Sequence, residues 1–269
     1  MGGSGQWQPS TKKTEPPQTG EKIEDFYVSF AEEGATIIKY TGLAENLVIP
    51  GKIGERRVLQ IGEGAFLGSP NLVKVTLPAG LQKIDSYAFA ACTNLETVYL
   101  PEGVKELGGN AFLSCKNLME INLPGTLSVI REDTFAGCQS LSSITFNQGL
   151  ITIEDGAFGG CVSLSSITFN EGLITIEDGA FRGCVNLSGV FIPGSLVNIS
   201  KDAFPGCRSL VNIQIASHNP KFIVREGDFF LEGIRYRELY AKDTGELVFS
   251  AAPINEEYNN QWHVIGAGR

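Results

Sequence analysis

Six cysteines recur at intervals of 23 residues, and their thiols are the most reactive groups that the sequence repeats. Cysteines in this number suggest disulfides in an exported protein. If the chain stacks in parallel coils, however, equivalent residues lie about 4.8 Å apart and point the same way, whereas a disulfide needs Cβ atoms roughly 3.5 to 4.5 Å apart. Paired thiolate ligands such as C-x-x-C, which a metal site would use, are absent from the sequence. We therefore expect six buried free thiols, at Cys92, Cys115, Cys138, Cys161, Cys184 and Cys207.

Two acidic columns follow the same spacing and form the second candidate for chemistry. Glu154 and Glu177 occupy one column, and Asp155 and Asp178 occupy the next. Like charges stacked at strand spacing repel each other, so solvent or a cation must screen them. Because Ca²⁺ prefers several carboxylate oxygens, these four residues are a candidate calcium site, with screening by solvent as the alternative.

Residue patterns typical of enzymes are not found. The only histidines, His218 and His263, lie outside the repeats, and no Ser, Cys or Asp sits in a motif that would activate it. The glycine-rich stretch IGEGAFLG, which begins at Ile61, lacks the Lys-Ser/Thr ending of a phosphate-binding loop. The sequence thus predicts a protein that is not an enzyme and needs no cofactor.

The composition argues against several classes of partner. The chain has 269 residues, of which 42% are hydrophobic, and its formal net charge is −9. Nucleic acids and anionic membranes require clustered Lys and Arg, so neither is expected as a partner. No apolar run approaches the roughly 18 residues that span a bilayer, so we expect no transmembrane segment within this chain.

The elements that position these residues follow from the same period. The stretch ITFNQGLITIEDGAFGGC, which begins at Ile144, returns almost unchanged at Ile167, as an internal duplication would. The same spacing relates a column of phenylalanines, Phe66, Phe89, Phe112, Phe135, Phe158, Phe181 and Phe204. Leucines form a further column, Leu72, Leu95, Leu118, Leu141, Leu164, Leu187 and Leu210.

Each repeat predicts a small set of structural elements. NLETVYLP, from Asn94, alternates apolar and polar residues as a half-buried strand does, and VKEL, from Val104, predicts a second extended run. DGAFRGC, from Asp178, predicts a tight helical turn that points Ala and Phe inward. A unit this small cannot bury its apolar residues alone, so neighbouring repeats must stack in parallel ladders. The predicted fold is a right-handed, β-rich α/β solenoid.

One face of the strand ladder is the candidate surface for a partner. If Val98 and Leu100 face the core, the residues that alternate with them face outward. Aromatic residues are enriched at recognition sites, which draws attention to Tyr99 and Phe191. The candidate partner-binding residues are Lys74, Thr76, Thr97, Tyr99, Glu120, Asn122, Thr145, Thr168, Phe191 and Gln214.

The repeat also resembles that of a known family. LPAGLQKIDSYAFAACTNLETVYLP, from Leu77, is similar to the BspA-type (Treponema pallidum-type) leucine-rich repeat, and the resemblance extends over residues 26 to 253. It implies a leucine-rich-repeat solenoid with 23-residue repeats. It also implies an extracellular or cell-surface protein that attaches to host extracellular-matrix proteins or to other microbes.

The sequence divides into four parts. Residues 1–22 are rich in Gly, Pro, Ser and Thr and predict a disordered tether or an expression-vector remnant. Residues 23–62 predict an N-terminal β cap, and residues 63–212 predict the repeat array. Residues 213–269 predict an extended C-terminal unit, which is either cut from a longer array or closed by a degenerate cap.

These observations lead to one main hypothesis and two alternatives. The main hypothesis is a noncatalytic bacterial recognition module that binds proteins through its concave strand face, because an extended ladder offers a large surface. The first alternative is a module that binds or processes glycans. The second is a structural spacer within a longer surface protein. Fold alone does not decide among these functions.

Overall fold

The computed structural model describes residues 20–216, 218–231, 234–242 and 247–250. Within these ranges the chain forms β-strands joined by turns, and no helix is present. The expected parallel ladders are confirmed, whereas the expected α/β class with short helical turns is wrong. The predicted tether, residues 1–22, lies outside the described residues except for residues 20–22.

The N-terminal region is a small sheet that leads into the repeats. β1 pairs with β2 and β2 with β3 in antiparallel fashion, after which β3 lies parallel to β6. β5 pairs with β6 as a hairpin, while β4 belongs to a different sheet. The strands are β1 (Glu21–Ile23), β2 (Phe26–Phe30), β3 (Ala35–Tyr40), β4 (Asn46–Val48), β5 (Lys52–Ile53) and β6 (Arg56–Ile61).

The repeats contribute short strands that alternate between two ladders. In chain order these strands are β7 (Lys74–Thr76), β8 (Lys83–Ile84), β9 (Thr97–Tyr99), β10 (Glu106–Leu107), β11 (Glu120–Ile121), β12 (Val129–Ile130), β13 (Thr152–Ile153), β14 (Ser166–Thr168), β15 (Thr175–Ile176), β16 (Gly189–Ile192), β17 (Asn198–Ile199) and β18 (Asn212–Ile215). The first ladder contains β4, β7, β9, β11, β14, β16 and β18. The second contains β6, β8, β10, β12, β13, β15 and β17.

Pairing within the ladders is parallel and joins equivalent residues of successive repeats. Lys74 lies opposite Thr97, and Thr97 lies opposite Glu120, so the register keeps the 23-residue period of the sequence. The second ladder is divided between β10 and β12. One repeat later, the first ladder is divided between β11 and β14, where a single parallel bridge joins Asn122 to Thr145.

The core contains a continuous column of stacked aromatic rings, contributed by the turn segments of the repeats. The seven repeat phenylalanines stack face to face, with ring centroids between 4.8 Å and 5.6 Å apart. The ring of Tyr40 covers Phe66 at 5.1 Å, and Phe26 covers Tyr40 at 5.5 Å. The N-terminal sheet therefore closes one end of the core with its own aromatic side chains. Burial of large side chains contributes roughly 1.5 to 3 kcal/mol each, which makes this column a main source of stability.

The segments predicted as helical turns are instead ribbons of β-turns. Ala65, Leu67 and Ser69 donate their backbone N–H groups to carbonyls three residues earlier, while Phe66 and Gly68 donate to the next coil. This alternation needs positive φ at two positions per turn, four residues apart, whereas a right-handed helix needs negative φ throughout. The pairs are Gly64 and Gly68, Tyr87 and Ala91, Asn110 and Ser114, Asp133 and Gly137, Gly156 and Gly160, and Gly179 and Gly183.

The C-terminal strands leave the repeat pattern. β19 (Phe222–Leu231), β20 (Ile234–Ala241) and β21 (Leu247–Ser250) form an antiparallel sheet. β18, the last strand of the first ladder, contacts both β19 and β20. These strands fall within the predicted C-terminal unit, residues 213–269, of which residues 251–269 lie outside the described ranges.

Candidate functional site

The candidate site is the outward side of the first ladder, which we name the strand face. Its inward residues are apolar and form part of the core, as shown by Val75, Val98, Ile167 and Val190. Because side chains alternate along a strand, their neighbours point away from the core. The period-2 pattern of the sequence thus places two parallel rows of side chains on one surface.

The two rows contain all of the predicted partner-binding residues. The first row carries Asn46, Lys74, Thr97, Glu120, Ser143, Ser166, Gly189 and Asn212. The second row carries Val48, Thr76, Tyr99, Asn122, Thr145, Thr168, Phe191 and Gln214. Most of these side chains are exposed, while Thr97, Asn122, Gly189 and Phe191 are half-buried.

The two aromatic residues differ in their environment. Tyr99 is 55% exposed, so most of its ring is available on the surface. Phe191 is half-buried between its register partners Thr168 and Gln214. Tyr99 is therefore the more accessible of the two aromatic groups.

The side chain of Asn122 is engaged within the fold. Its Oδ1 atom accepts a hydrogen bond from the Leu100 N–H over 2.8 Å, and its Nδ2 atom donates to the Leu100 carbonyl over 2.8 Å. The amide thereby extends the pairing of β11 with β9, at the end of the sheet β11-β9-β7-β4. Asn122 lies on the strand face, but both polar atoms of its amide are hydrogen-bonded to the backbone of Leu100 in the neighbouring repeat.

Two residues of the strand face, Asn46 and Val48, were missed by the sequence reasoning. β4 pairs in parallel with β7, which brings Asn46 opposite Lys74 and Val48 opposite Thr76. The stretch NLVIPG, from Asn46, resembles the repeat strand TVYLPEG from Thr97, and this was the available signal. The signal was obscured because the β5–β6 hairpin lengthens the interval before the next strand.

The middle of the strand face is lined by small hydroxyl side chains. Ser143, Thr145, Ser166 and Thr168 are all exposed. They come from the duplicated SSITFN segments, so the duplication has repeated one surface as well as one core. This part of the face offers hydrogen-bond donors and acceptors without charge.

The six cysteines lie in the core and are free thiols. Each Sγ atom donates to the carbonyl of a phenylalanine in the preceding repeat, as Cys92 does to Phe66 over 3.1 Å. Burial raises the pKa of Cys92 and that of Cys161 to about 12. The thiols of Cys92 and Cys161 are therefore protonated hydrogen-bond donors in the native chain, and Ser69 takes the position of the cysteine in the first repeat.

Two carboxylates of the acidic columns form hydrogen bonds or an ion pair with other residues of the fold. The Glu154 carboxylate accepts from the Glu132 N–H over 3.1 Å and lies 3.9 Å from the Arg131 guanidinium. Asp178 accepts a hydrogen bond from the Ser200 hydroxyl. Partial burial, followed by the charges of Asp155 and Glu154, raises the pKa of Glu177.

The calcium hypothesis gains no geometric support from these columns. In the described ranges, no three His, Cys, Asp or Glu side chains converge in an arrangement that could hold a metal ion. Asp155 and Asp178 are exposed to solvent, while Glu154 and Glu177 are half-buried. Arg131 lies beside Glu154, and solvent reaches Asp155 and Asp178, so the fold offers two means of screening the stacked charges without a cation.

One histidine joins the end of the array to the segment that follows. The His218 Nε2 atom lies 3.3 Å from Glu171, whose carboxylate also accepts the backbone N–H groups of Gly194 and Ser195 over 2.9 Å and 3.0 Å. These hydrogen bonds, the one from Gly194 first, lower the pKa of Glu171. The arrangement is a surface contact between turns, and His263 lies outside the described residues.

Across the described part of the chain, no helix has the length and apolar character needed to cross a membrane.

Comparison with known proteins identifies the repeat. The chain matches the description "BspA type leucine rich repeat region" in six copies, over residues 40–148 and 128–223. No protein with a curated description is significantly similar to it. A leucine-rich repeat protein of Treponema pallidum is 29% identical, with a TM-score of 0.51, over 72% of this chain and 81% of that one.

Two further structures share the fold. A leucine-rich repeat protein of Eubacterium ventriosum is 23% identical, with a TM-score of 0.62, over 81% of this chain and 54% of that one. The pneumococcal vaccine antigen PcpA is 16% identical, with a TM-score of 0.51, over 86% of this chain and 55% of that one. The 23-residue register, the stacked core and the matched repeats agree, and the chain belongs to the BspA-type leucine-rich repeat family.

Proposed function

We propose that this chain is a noncatalytic protein-binding module that acts as an adhesin, at the surface of a bacterial cell or after secretion. The observation that carries the proposal is the strand face, where parallel rows of exposed side chains run along successive repeats. A repeat ladder of this kind offers an extended surface without the converging side chains that catalysis requires. Membership of the BspA-type leucine-rich repeat family also supports a protein-binding function.

The partner that best suits this surface is another protein, such as a component of the host extracellular matrix or of a microbial surface. Tyr99 supplies an aromatic anchor near one end, and Phe191 supplies a second near the other. The hydroxyl groups between them allow hydrogen bonding to a protein backbone. The net charge of −9 favours partners with basic surfaces.

Binding to an array of matrix proteins and glycans, with and without Ca²⁺, tests this proposal. Tyr99→Ala and Phe191→Ala should each weaken a saturable protein interaction by about tenfold, as aromatic anchors at interfaces do. Leu67→Ala is the matched control, because Leu67 is an exposed apolar residue, 49% accessible, that lies in a turn segment and outside the strand face. Equal losses for Leu67 and Tyr99 would contradict the proposal.

Other outcomes of the same array identify the alternatives. Selective glycan binding that survives removal of Ca²⁺ would replace the protein-binding proposal with a glycan-binding module. Binding to nothing on the array would favour a spacer within a longer surface protein. Loss of binding on removal of Ca²⁺ would revive the acidic columns as a cation site.

A further inference from the structure

The free edge of β4 distinguishes one end of the strand face from the other. β4 is the terminal strand of the sheet β11-β9-β7-β4 and pairs with β7 on one side. At the opposite end of the first ladder, β18 is contacted by β19 and β20. In the second ladder, β6 is continued by β3 and β2. In the described part of the chain, therefore, the edge of β4 is left without a neighbouring strand.

The backbone of β4 leaves hydrogen-bonding groups on that free side. Glu45 accepts from Lys74 with its carbonyl, and Ile49 donates its N–H to Thr76 over 3.0 Å. In a parallel pair, alternate residues direct both backbone groups toward the same neighbour. The N–H and C=O groups of Asn46 and Val48 therefore point away from β7, toward the position that a further strand would occupy.

The side chains beside this edge are apolar and exposed. Val48 is 70% exposed and Leu43, in the loop that leads into β4, is 77% exposed. Tyr99 lies two strands away in the same row as Val48, with Thr76 between them. Natural edge strands are commonly protected by Lys, by Pro or by a covering element. The three residues of β4 include neither Lys nor Pro.

The charge beside the edge indicates the chemistry of the occupant. Glu45 is exposed and directly precedes β4. Asp25 is also exposed, and its Oδ2 atom lies beside Gly42, in the loop that leads into β4. An extended segment that pairs with β4 and carries Lys or Arg at this end would be attracted electrostatically.

We propose that the edge of β4 binds an extended segment of a partner protein, which adds to the first ladder as a further strand. The segment carries β-branched or aromatic residues against Val48 and Leu43, and a basic residue near Asp25 and Glu45. Backbone hydrogen bonds supply affinity in this mode of binding, and alternate side chains supply specificity. The inference deepens the proposed function and rests on it. It identifies β4 as the end of the strand face at which a segment of the bound partner pairs with the ladder.

Selection from a phage-displayed library of random peptides against the full chain provides the probe. The selected peptides should alternate β-branched or aromatic residues with polar ones and should contain Lys or Arg. Val48→Pro removes an outward-facing N–H and retains the bonds to β7, because proline is tolerated on an edge strand at such a position. This variant should lose about tenfold or more in peptide affinity. Val48→Thr, which keeps the N–H, should lose much less affinity than Val48→Pro, and Leu67→Ala, in a turn segment outside the strand face, should bind as the parent chain does.

Hydrogen exchange gives a second measurement that does not depend on the folding of a variant. The selected peptide should slow exchange at the amides of Asn46 and Val48 and leave that of Leu47 unchanged, because Leu47 faces β7. Peptides that bind Val48→Pro as tightly as the parent chain, or a library that yields no binder, would overturn the inference. A dimer that forms through β4 would also overturn it, because the occupant of the edge would then be a second copy of the chain. Peptide binding that appears only after removal of residues 1–19 would overturn it as well, because the occupant would then be that segment.

The two proposals fail in distinguishable ways. If a matrix protein binds and Tyr99→Ala weakens it while Val48→Pro does not, the edge inference fails and the strand face stands. If the array shows no partner while library peptides bind in a manner that depends on Val48, the adhesin proposal fails and β4 remains a peptide-binding edge.

Discussion

The Sγ atom of Cys138 lies 3.3 Å from the carbonyl oxygen of Phe112 and donates a hydrogen bond to it. The same contact recurs in all six cysteine-containing repeats. Each thiol therefore satisfies a phenylalanine carbonyl of the preceding repeat while filling a small apolar space. Because only the protonated thiol can donate, the contact links the stability of the array to pH.

Alkaline pH should destabilise the chain through these thiols. Burial raises the pKa of Cys92 and of Cys161 from 9.0 to about 12, so the folded state disfavours the thiolate. This stabilisation is complete below pH 9.0 and is lost as pH rises from there toward 12. At pH 10, ionisation of Cys92 and of Cys161 in the unfolded state should each lower the free energy of unfolding by roughly 1 kcal/mol relative to neutral pH.

Urea denaturation at pH 7.5 and pH 10 measures this effect. The Cys92→Ala and Cys161→Ala variants are the controls, because they remove one titrating group each and should show a smaller loss between the two pH values. An unchanged pH dependence in both variants would contradict the assignment. In the native chain at neutral pH, the thiols should react slowly with a thiol reagent, since buried protonated thiols are poor nucleophiles.

The columns of the sequence predicted the core well because stacking preserves residue type. A side chain that is buried against its own equivalent must be matched in size at every repeat, so the spacing of Phe135 and Phe158 directly indicates contact. The strand face followed from the period-2 alternation around Val98. Both inferences depend only on which way a side chain points, and this is what periodicity encodes.

The turn segments were mispredicted because residue type does not fix φ, and glycine, which occupies both positive-φ positions of DGAFRGC at Gly179 and Gly183, allows a positive φ without requiring it. In the duplicated repeats, Gly156 and Gly160 occupy the two positive-φ positions, but in an earlier repeat Tyr87 and Ala91 do so with φ of 58° and 57°. Alanine favours helices, so the local preference pointed away from the β-turn ribbon that stacking imposes. The role of Asn122 was hidden for a related reason, since its partner, the Leu100 backbone, is set only by tertiary structure.

Glycine and alanine should have opposite effects in the turn column that contains Ala91 and Gly160. Ala91 holds a φ of 57°, and Gly160 holds a φ of 71°. A Cβ atom at Gly160 would meet only ordinary contacts, with the nearest at 3.7 Å, so Gly160→Ala tests backbone strain alone. We expect Gly160→Ala to lower the unfolding free energy by about 1 kcal/mol and Ala91→Gly to leave it unchanged or raise it by up to about 1 kcal/mol. Denaturant melts of both variants check this, and a stabilised Gly160→Ala would contradict it.

Asn122→Asp should weaken the array where the repeat of β11 packs on the repeat of β9. The substitution retains the acceptor for the Leu100 N–H and replaces the donor to the Leu100 carbonyl with a second oxygen. Loss of that hydrogen bond with repulsion between the oxygens should cost about 1 to 3 kcal/mol of unfolding free energy.

Thermal denaturation measures the change, with Asn212→Asp as the control because Asn212 is exposed in the other row of the strand face. Similar melting temperatures for Asn122→Asp and Asn212→Asp would show that the amide contact with Leu100 contributes little. Protection from hydrogen exchange should fall at Leu100 in the Asn122 variant.

Glu177→Gln should stabilise the chain at neutral pH, whereas Glu171→Gln should destabilise it. Partial burial and the charges of Asp155 and Glu154 raise the pKa of Glu177, so its contribution to stability is greatest below the ordinary value of 4.5 and is lost as pH rises through its folded pKa. Backbone hydrogen bonds from Gly194 and Ser195 lower the pKa of Glu171, so its contribution is present above pH 4.5 and is lost as pH falls.

The melting temperatures of the two variants should therefore move in opposite directions from the parent chain at pH 7, and both differences should shrink toward pH 4. Added NaCl should reduce the gain from Glu177→Gln, because salt screens the repulsion within the acidic columns. If Ca²⁺ instead raised the melting temperature of the parent chain and had no effect on Glu177→Gln, a bound cation would explain the acidic columns better than screening by solvent. Equal shifts of the same sign in both variants would contradict the opposite pKa changes from which the prediction follows.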